Sequence, residues 1–396
     1  MMVRYSRQMT TQRFAAAVLS LFVATAVYAE PAKNVQMLNI QSAMQQQNND
    51  PISLLRKLRQ EKPEDSAIAA RLATLYIQKA RQELEPEYYQ QAFFAIRPWW
   101  RVEKMPPEIA MVRATLYQHE HHYVEATELL LEVIQQQPKN SQAWLTLSTI
   151  QHVQGDYANV AVSCDALSRV ASTWLGGLCY SQLYSVTGRA KAAYAMQRHL
   201  LSQLKDNQQE LHVWLNALMA ESSVRLHQDK RAEQHYKAVL ALRSDDLHAL
   251  GNYSDFLLQR NRPQEVIALL KAYDKHDALL LRTAMAAKQA GDQELENQSV
   301  AVLKQRFAEA LAKHGHTHER DEALFHLVFS DDKSQALTLM AKNWELQKEP
   351  VDARSLLQAA LANKQPQAAH TVIAWVKQHQ LEDPQIHRLI KRLQML

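Results

Sequence analysis

A repeat spacing of about 34 residues constrains this fold more than any other feature of the chain. Within the segment 107–172, three positions recur at this interval: Ala114 and Ser148, Ala126 and Val160, Pro138 and Ser172. A repeat of this length is typical of one pair of antiparallel helices, which buries its apolar face only by stacking on the next pair. The spacing therefore predicts an all-α fold, a right-handed α-solenoid of stacked helix pairs.

The composition agrees with helices throughout. The chain has 396 residues and only 7 of them are glycine. Glycine costs about 1 kcal/mol relative to alanine in a helix interior, so its scarcity favours helix. No segment alternates β-branched or aromatic residues with polar ones over a sustained stretch, and we predict no strands.

The repeats differ in clarity along the predicted solenoid, which covers 51–396. The clearest repeats are those that keep the strict spacing: 107–140, 141–172, 213–246 and 247–273. Degenerate repeats, recognised by apolar and small residues at helical spacing, are predicted at 66–100, 174–200, 277–313, 317–349 and 350–379. The amphipathic segment 385–396 is predicted to cap the end of the stack.

The segment 1–29 is typical of a secretory signal peptide. Basic residues precede an apolar run, Phe14 to Ala26, which is the length of a signal core and short for a membrane span. Val27 and Ala29 offer small residues for cleavage after Ala29, which predicts a periplasmic or secreted protein. An uncleaved N-terminal anchor is the alternative. Residues 30–50 are rich in Gln and Asn and are predicted to form a flexible leader.

Charge excludes one class of partner. Removing Arg4, Arg7 and Arg13 with the signal peptide lowers Lys plus Arg from 45 to 42, against 41 Asp plus Glu. The near-neutral mature chain has no long basic run, which argues against nucleic acid as a partner. No later segment is apolar for long enough to suggest a transmembrane span in the mature chain.

The two cysteines, Cys164 and Cys179, fall on consecutive helices of neighbouring predicted repeats. An exported protein enters an oxidising compartment, where a disulfide is permitted. Two buried thiols that act as small apolar residues are the alternative. The sequence leaves both open.

The small residues at the helix crossings and the turn signal Gly155-Asp156-Tyr157 resemble those of the tetratricopeptide repeat (TPR) superfamily, and more loosely of exported bacterial TPR proteins. The chain departs from the family pattern at Ala110 and Leu250, where Trp is usual, and at His121, where the turn glycine is usual. The resemblance implies a groove lined by one face of each first helix. Its lining would be Met111, Thr115, His119, Gln142, Leu145, Thr149, His152, Trp214, Glu221, Arg225, His248, Asp255 and Gln259.

One other cluster carries candidate chemistry. His314, His316 and His318 alternate in a polar link, and imidazole is a ligand for Zn, Cu and Ni. The competing interpretation is a solvated loop between helices without metal. Motifs for nucleophilic, metallopeptidase, phosphate-binding and dithiol chemistry are missing from the sequence, so we predict no catalytic residues and no cofactor.

These observations predict an exported TPR scaffold, not an enzyme, that binds a protein or peptide partner along its groove. A metal-handling protein that uses the three histidines is the main alternative. An enzyme on a helical scaffold and self-association through an end of the stack are the others. The sequence identifies neither the partner nor the oligomeric state.

Overall fold

The computed structural model describes residues 50–83, 87–102, 104–314 and 319–396. Within these ranges every regular element is a helix. The chain is therefore an all-α protein built of consecutive helix pairs, which confirms the predicted class. The predicted signal peptide and most of the leader lie outside the described residues. No helix in the described ranges is both long enough and apolar enough to cross a bilayer.

The described residues form two compact units, 50–150 and 151–396. The N-terminal unit contains α1 (Pro51–Glu61), α2 (Ser66–Glu83), α3 (Glu87–Ile96), a 3-10 turn (Arg97–Trp99), α4 (Pro107–His119), α5 (Tyr123–Gln136) and most of α6 (Ser141–Val153). Its core includes Leu55, Ala73, Ile96 and Ile109, which are almost completely buried.

The C-terminal unit begins with the last turn of α6. Its helices are α7 (Tyr157–Val170), α8 (Thr173–Val186), α9 (Ala190–Leu201), α10 (Gln209–Arg225), α11 (Asp229–Leu242), α12 (Leu247–Gln259), α13 (Pro263–Leu270), α14 (Asp277–Ala290), α15 (Gln293–His314), α16 (Glu319–Phe329), α17 (Ser334–Leu346), α18 (Pro350–Ala362), α19 (His370–His379) and α20 (Pro384–Leu393). A 3-10 turn, Pro366–Ala369, precedes α19.

The helix bounds reproduce the repeat spacing of the sequence. Helices α4 and α5 begin at Pro107 and Tyr123, and α6 and α7 begin one repeat length later, at Ser141 and Tyr157. The later blocks behave alike, since α10 and α12 end one repeat length apart, at 225 and 259. The spacing read from small residues is thus the spacing of whole helix pairs.

The turns inside the pairs share one backbone conformation. His121, Gly155, His227 and Asn261 all have φ between 57° and 72°, in the left-handed region. The residue after each donates its N–H to a carbonyl five positions back, as His122 does to Tyr117 at 2.9 Å, which closes the end of the first helix. His121 therefore occupies the same turn position as the glycine that it replaces.

Small residues allow the paired helices to approach. Ala114 and Ala126, which lie on α4 and α5, have no exposed surface. We expect Ala126→Leu to cost about 1–3 kcal/mol, because the added side chain has no space between the two helices. Thermal unfolding compares this variant with Glu125→Leu, a change at the exposed neighbouring residue. Equal shifts in Tm would contradict a close approach of α4 and α5 at Ala126.

Candidate protein-binding surfaces

The N-terminal unit carries one threonine at the same register of each of its first helices. Thr74, Thr115 and Thr149 each follow the small residue at the helix crossing, namely Ala73, Ala114 and Ser148. Helices α2 and α4 pack directly on each other. We call the residues around this row the threonine face: Ala70, Thr74, Gln78, Met111, Thr115, His119, Gln142, Leu145 and Thr149.

The threonine hydroxyls are oriented by their own helices. Each hydroxyl donates to the carbonyl four residues earlier: Thr74 to Ala70 at 2.8 Å, Thr115 to Met111 at 2.9 Å and Thr149 to Leu145 at 3.1 Å. A hydroxyl has one proton and two lone pairs, so an oxygen that has given its proton to the helix can still accept a hydrogen bond. The row can therefore receive N–H donors from a ligand.

The threonine face has no Asp, Glu, Lys or Arg among its members. At its edge Glu108 accepts a hydrogen bond from the Ser66 hydroxyl at 2.5 Å. His119 stacks on Tyr89 of α3, with ring centroids 3.6 Å apart, which fixes the imidazole at one end of the face. The other histidines of this turn have different partners: His121 contacts the Tyr123 hydroxyl at 2.9 Å, and His122 stacks on Tyr117. The surface is polar, uncharged and held in place by its own contacts.

The same register in the C-terminal unit carries charges instead. On α10, Arg225 Nη2 lies 3.5 Å from Glu221 Oε2, and Arg225 Nη1 donates to the Ser185 hydroxyl at 2.8 Å. His248 Nε2 of α12 lies 3.6 Å from Glu221 Oε1. Further along α12, Asp255 accepts a hydrogen bond from Arg282 at 2.8 Å. These predicted groove residues thus contact one another and the neighbouring helices.

Burial and ion pairing shift the pKa values of Glu221 and His248 in opposite directions. Burial alone would raise the pKa of Glu221, but the neighbouring His248 and Arg225 hold that pKa below its usual value. Burial alone would lower the pKa of His248, and the Glu221 carboxylate reverses this and raises it. Burial, with Arg225 nearby, lowers the pKa of His152 to about 4. At neutral pH His152 is therefore uncharged.

A second cluster of charged side chains surrounds the start of α18. Arg320 Nη2 lies 2.5 Å from Asp352 Oδ1, and Asp352 has an exposed fraction of only 1%. The other carboxylate oxygen of Asp352 accepts the N–H of Glu349, and Asn343 also donates to Asp352. Burial raises the pKa of Glu349 to about 7, although Arg320 opposes the change. The Glu349 carboxyl is therefore the group of this cluster that titrates near neutrality.

Two further predicted groove residues differ in their exposure to solvent. Trp214 of α10 is buried, whereas Gln259 at the end of α12 is exposed. His314 is the last residue of α15, and its side chain, like the whole of His316 and His318, lies outside the described residues. Elsewhere in the described chain, no group of three or more His, Cys, Asp or Glu side chains is placed to hold a metal ion. The histidine cluster stays a prediction.

Cys164 and Cys179 form a disulfide that links α7 to α8, with their Cα atoms 5.4 Å apart. Both residues are buried. Beside the bond, Gly176 of α8 lies so close to Ser168 of α7 that a Cβ on Gly176 would clash with the serine hydroxyl. The bond therefore joins two helices that are in close contact along their length.

No family model matches the chain, and no curated protein matches it. Among solved structures, a TPR protein from Parabacteroides merdae is 16% identical with a TM-score of 0.35, over 73% of this chain and 98% of that one. The TPR domain of P58(IPK) is 14% identical with a TM-score of 0.23, over 82% of this chain and 97% of that one. Naa15, in complex with Naa10 and HypK, is 14% identical with a TM-score of 0.27, over 90% of this chain and 64% of that one.

The assignment of the fold rests on the chain's own helices. Pairs of 13- and 14-residue helices, α4 with α5 and α6 with α7, follow each other at the repeat spacing and turn through a left-handed residue. The fold is TPR-like. Its TPR-like register places the threonine face and the charged row at equivalent positions of successive first helices.

Glu349→Gln tests the titration near α18. The variant keeps an oxygen that can accept from Arg320 and removes the proton equilibrium. Because the pKa of Glu349 in the folded protein is about 7, against 4.5 for an unperturbed glutamate, the wild type loses stability as pH rises between these values. We expect equal Tm values near pH 4.5 and a higher Tm for the variant at pH 8, which corresponds to at most about 2 kcal/mol after solvent screening. Parallel Tm curves would refute the assignment.

Proposed function

We propose that this protein is an exported, non-catalytic scaffold that binds an uncharged segment of a partner protein along the threonine face. The observation that carries the proposal is the row of three threonine oxygens, each with its proton donated to its own helix. The charged row of the C-terminal unit is a poorer candidate, because its side chains are engaged with one another.

The chemistry of the threonine face suits the backbone of an extended peptide. Peptide N–H groups donate, and the threonine oxygens accept. Gln78 and Gln142 carry amides that both donate and accept, so they suit the peptide carbonyls. Met111 adds a flexible apolar contact. Apart from Glu108 at its edge, a strongly charged ligand would find no opposite charge on this face, and it would lose its hydration, which disfavours it.

Capture from the native cell envelope, with crosslinking, tests the binding. Thr115→Lys places a charge in the middle of the threonine face, and Thr338→Lys is the matched control. Thr338 also donates to the carbonyl four residues earlier, at 3.1 Å, but it is exposed on α17. We expect the wild type and Thr338→Lys to capture the same partner and Thr115→Lys to lose it. If all three proteins capture the partner, or none does, the result contradicts binding at the threonine face.

The exported location is supported by the signal-like segment 1–29 and by the Cys164–Cys179 disulfide, since such bonds persist in oxidising compartments. Protein recovered from a periplasmic fraction is expected to begin at Glu30 and to contain no free thiol. An intact N-terminus in the membrane fraction would favour the uncleaved anchor. A reduced pair of cysteines would argue against export.

A further inference from the structure

The two ends of the C-terminal unit touch each other. The backbone N–H of Lys348, after α17, donates to the carbonyl of Val153 at 2.7 Å. At the next turn, a Cβ on Gly155 would lie 2.9 Å from the Trp375 indole nitrogen of α19. Tyr157 packs its ring on His379, with centroids 4.8 Å apart. The segment near the end of the chain therefore docks on the turn between α6 and α7.

A second contact lies at the following turn, between α8 and α9. There a Cβ on Gly188 would lie 2.9 Å from the backbone oxygen of Gln380. Glu382 accepts the backbone N–H of Ala190 at 2.7 Å. Helix α9 has no capping side chain of its own at Arg189, so a carboxylate from a distant part of the sequence caps its N-terminus. Two successive turns at one end of the unit thus hold one segment from the other end.

Between these contacts the charged side chains form one network. The Arg225 guanidinium helps to lower the pKa of Asp383 at the start of α20, and the Glu221 carboxylate helps to raise the pKa of Glu349, so charges from the two halves of the unit influence each other. Asp321 lies 4.0 Å from Arg282 and also acts on Arg320, which joins the two charged groups. Five basic side chains, Arg225, His248, Arg282, Arg320 and Arg354, lie among six carboxyl groups, Glu221, Asp255, Asp321, Glu349, Asp352 and Asp383.

The contacts that join the ends are both polar and aromatic. They include a backbone hydrogen bond, a helix cap, the close approaches at Gly155 and Gly188, and the aromatic ring contacts of Tyr157. They are made at turns, whereas each helix pair is held together along its length. Glu382 is exposed, so water can compete for its hydrogen bond. Such a junction can open without unfolding the helices on either side.

We infer that residues 348–382 contain an autoinhibitory clasp, which docks on the turns at Gly155 and Gly188 and covers the charged row of α10 and α12. When the clasp is closed, Glu221, Arg225 and His248 are only 9–23% exposed at their side chains. When it opens, the row becomes available to a partner with charges of both signs. This device is independent of binding at the threonine face.

A distance measurement in the full-length chain tests the clasp. Spin labels at Ala158→Cys and Lys377→Cys, both exposed, flank the first contact. The native cysteines are bonded to each other and do not react. Glu382→Lys should break the second contact by placing a cation at the N-terminus of α9. Glu345→Lys, an exposed change on α17, is the matched control.

We expect one short distance in the unmodified chain and in Glu345→Lys, and a longer population in Glu382→Lys with unchanged helix content. Carbodiimide labelling of Glu221 should rise several-fold in Glu382→Lys alone. Should that variant lose helix content, Glu382→Ala provides the same readouts with a milder change. An unchanged distance, or a longer distance without increased labelling of Glu221, would overturn the clasp. Loss of helix content in both variants would show closure to be part of the fold, which would also overturn it.

Discussion

Replacing Asp352 with alanine is expected to lower the free energy of unfolding of the C-terminal unit by about 3–5 kcal/mol. Asp352 is almost completely buried, and its two oxygens serve the Arg320 guanidinium, the Asn343 amide and the backbone N–H of Glu349. Its removal leaves the Arg320 charge with less compensation and weakens the cap of α18. Urea denaturation, followed by circular dichroism, measures the loss.

Glu265→Ala is the matched control for Asp352. Glu265 also pairs with an arginine, Arg262, but it lies in solvent and its side chain is half exposed. Exposed pairs contribute about 0–1 kcal/mol, so this variant should unfold nearly as the wild type does. Similar losses in both variants would mean that burial adds nothing to the Arg320 pair.

Gly188→Ala is expected to destabilise the chain in two ways. Alanine at φ 71° costs about 1–2 kcal/mol in backbone strain. Its Cβ would also lie 2.9 Å from both the Cβ and the backbone oxygen of Gln380, which adds an overpacking cost of about 1–3 kcal/mol. The fall in Tm of the full-length chain measures the sum.

Gly291→Ala separates the two parts of that cost. Gly291 has φ 77°, so alanine is strained there to the same degree, but no atom lies within 4 Å of the position of its Cβ. The difference in Tm between the two variants therefore reports the contact with Gln380 alone. Identical values would show that the chain accommodates the added Cβ beside Gln380 without cost.

The sequence predicts the helix pairs well because their determinants are local. Ala114 and Ala126 permit close helix crossings, and left-handed turn residues recur between the helices. His121 stands where the family pattern has glycine, but its φ of 59° gives the same left-handed turn. A hydrogen bond to Tyr123 accompanies this conformation, and sequence alone does not reveal such a contact.

The function of the groove positions is much harder to predict. The register says which face Glu221, Arg225 and His248 occupy, but it does not say what covers that face. Arg225 affects the pKa of Asp383, and Glu349 affects that of His248, although these residues are far apart in the chain. No periodicity encodes such long-range effects. The threonine row, by contrast, is visible in the sequence once Thr74, Thr115 and Thr149 are aligned on the small residues before them.

The bond between Glu382 and the start of α9 has a consequence for how this chain can evolve. An open stack of repeats tolerates duplication or deletion of a helix pair, because each pair contacts only its neighbours. In the C-terminal unit the last pair must also return to Gly155 and Gly188. Gaining or losing one pair would displace Glu382 from Ala190, so the number of repeats between these contacts is fixed by geometry.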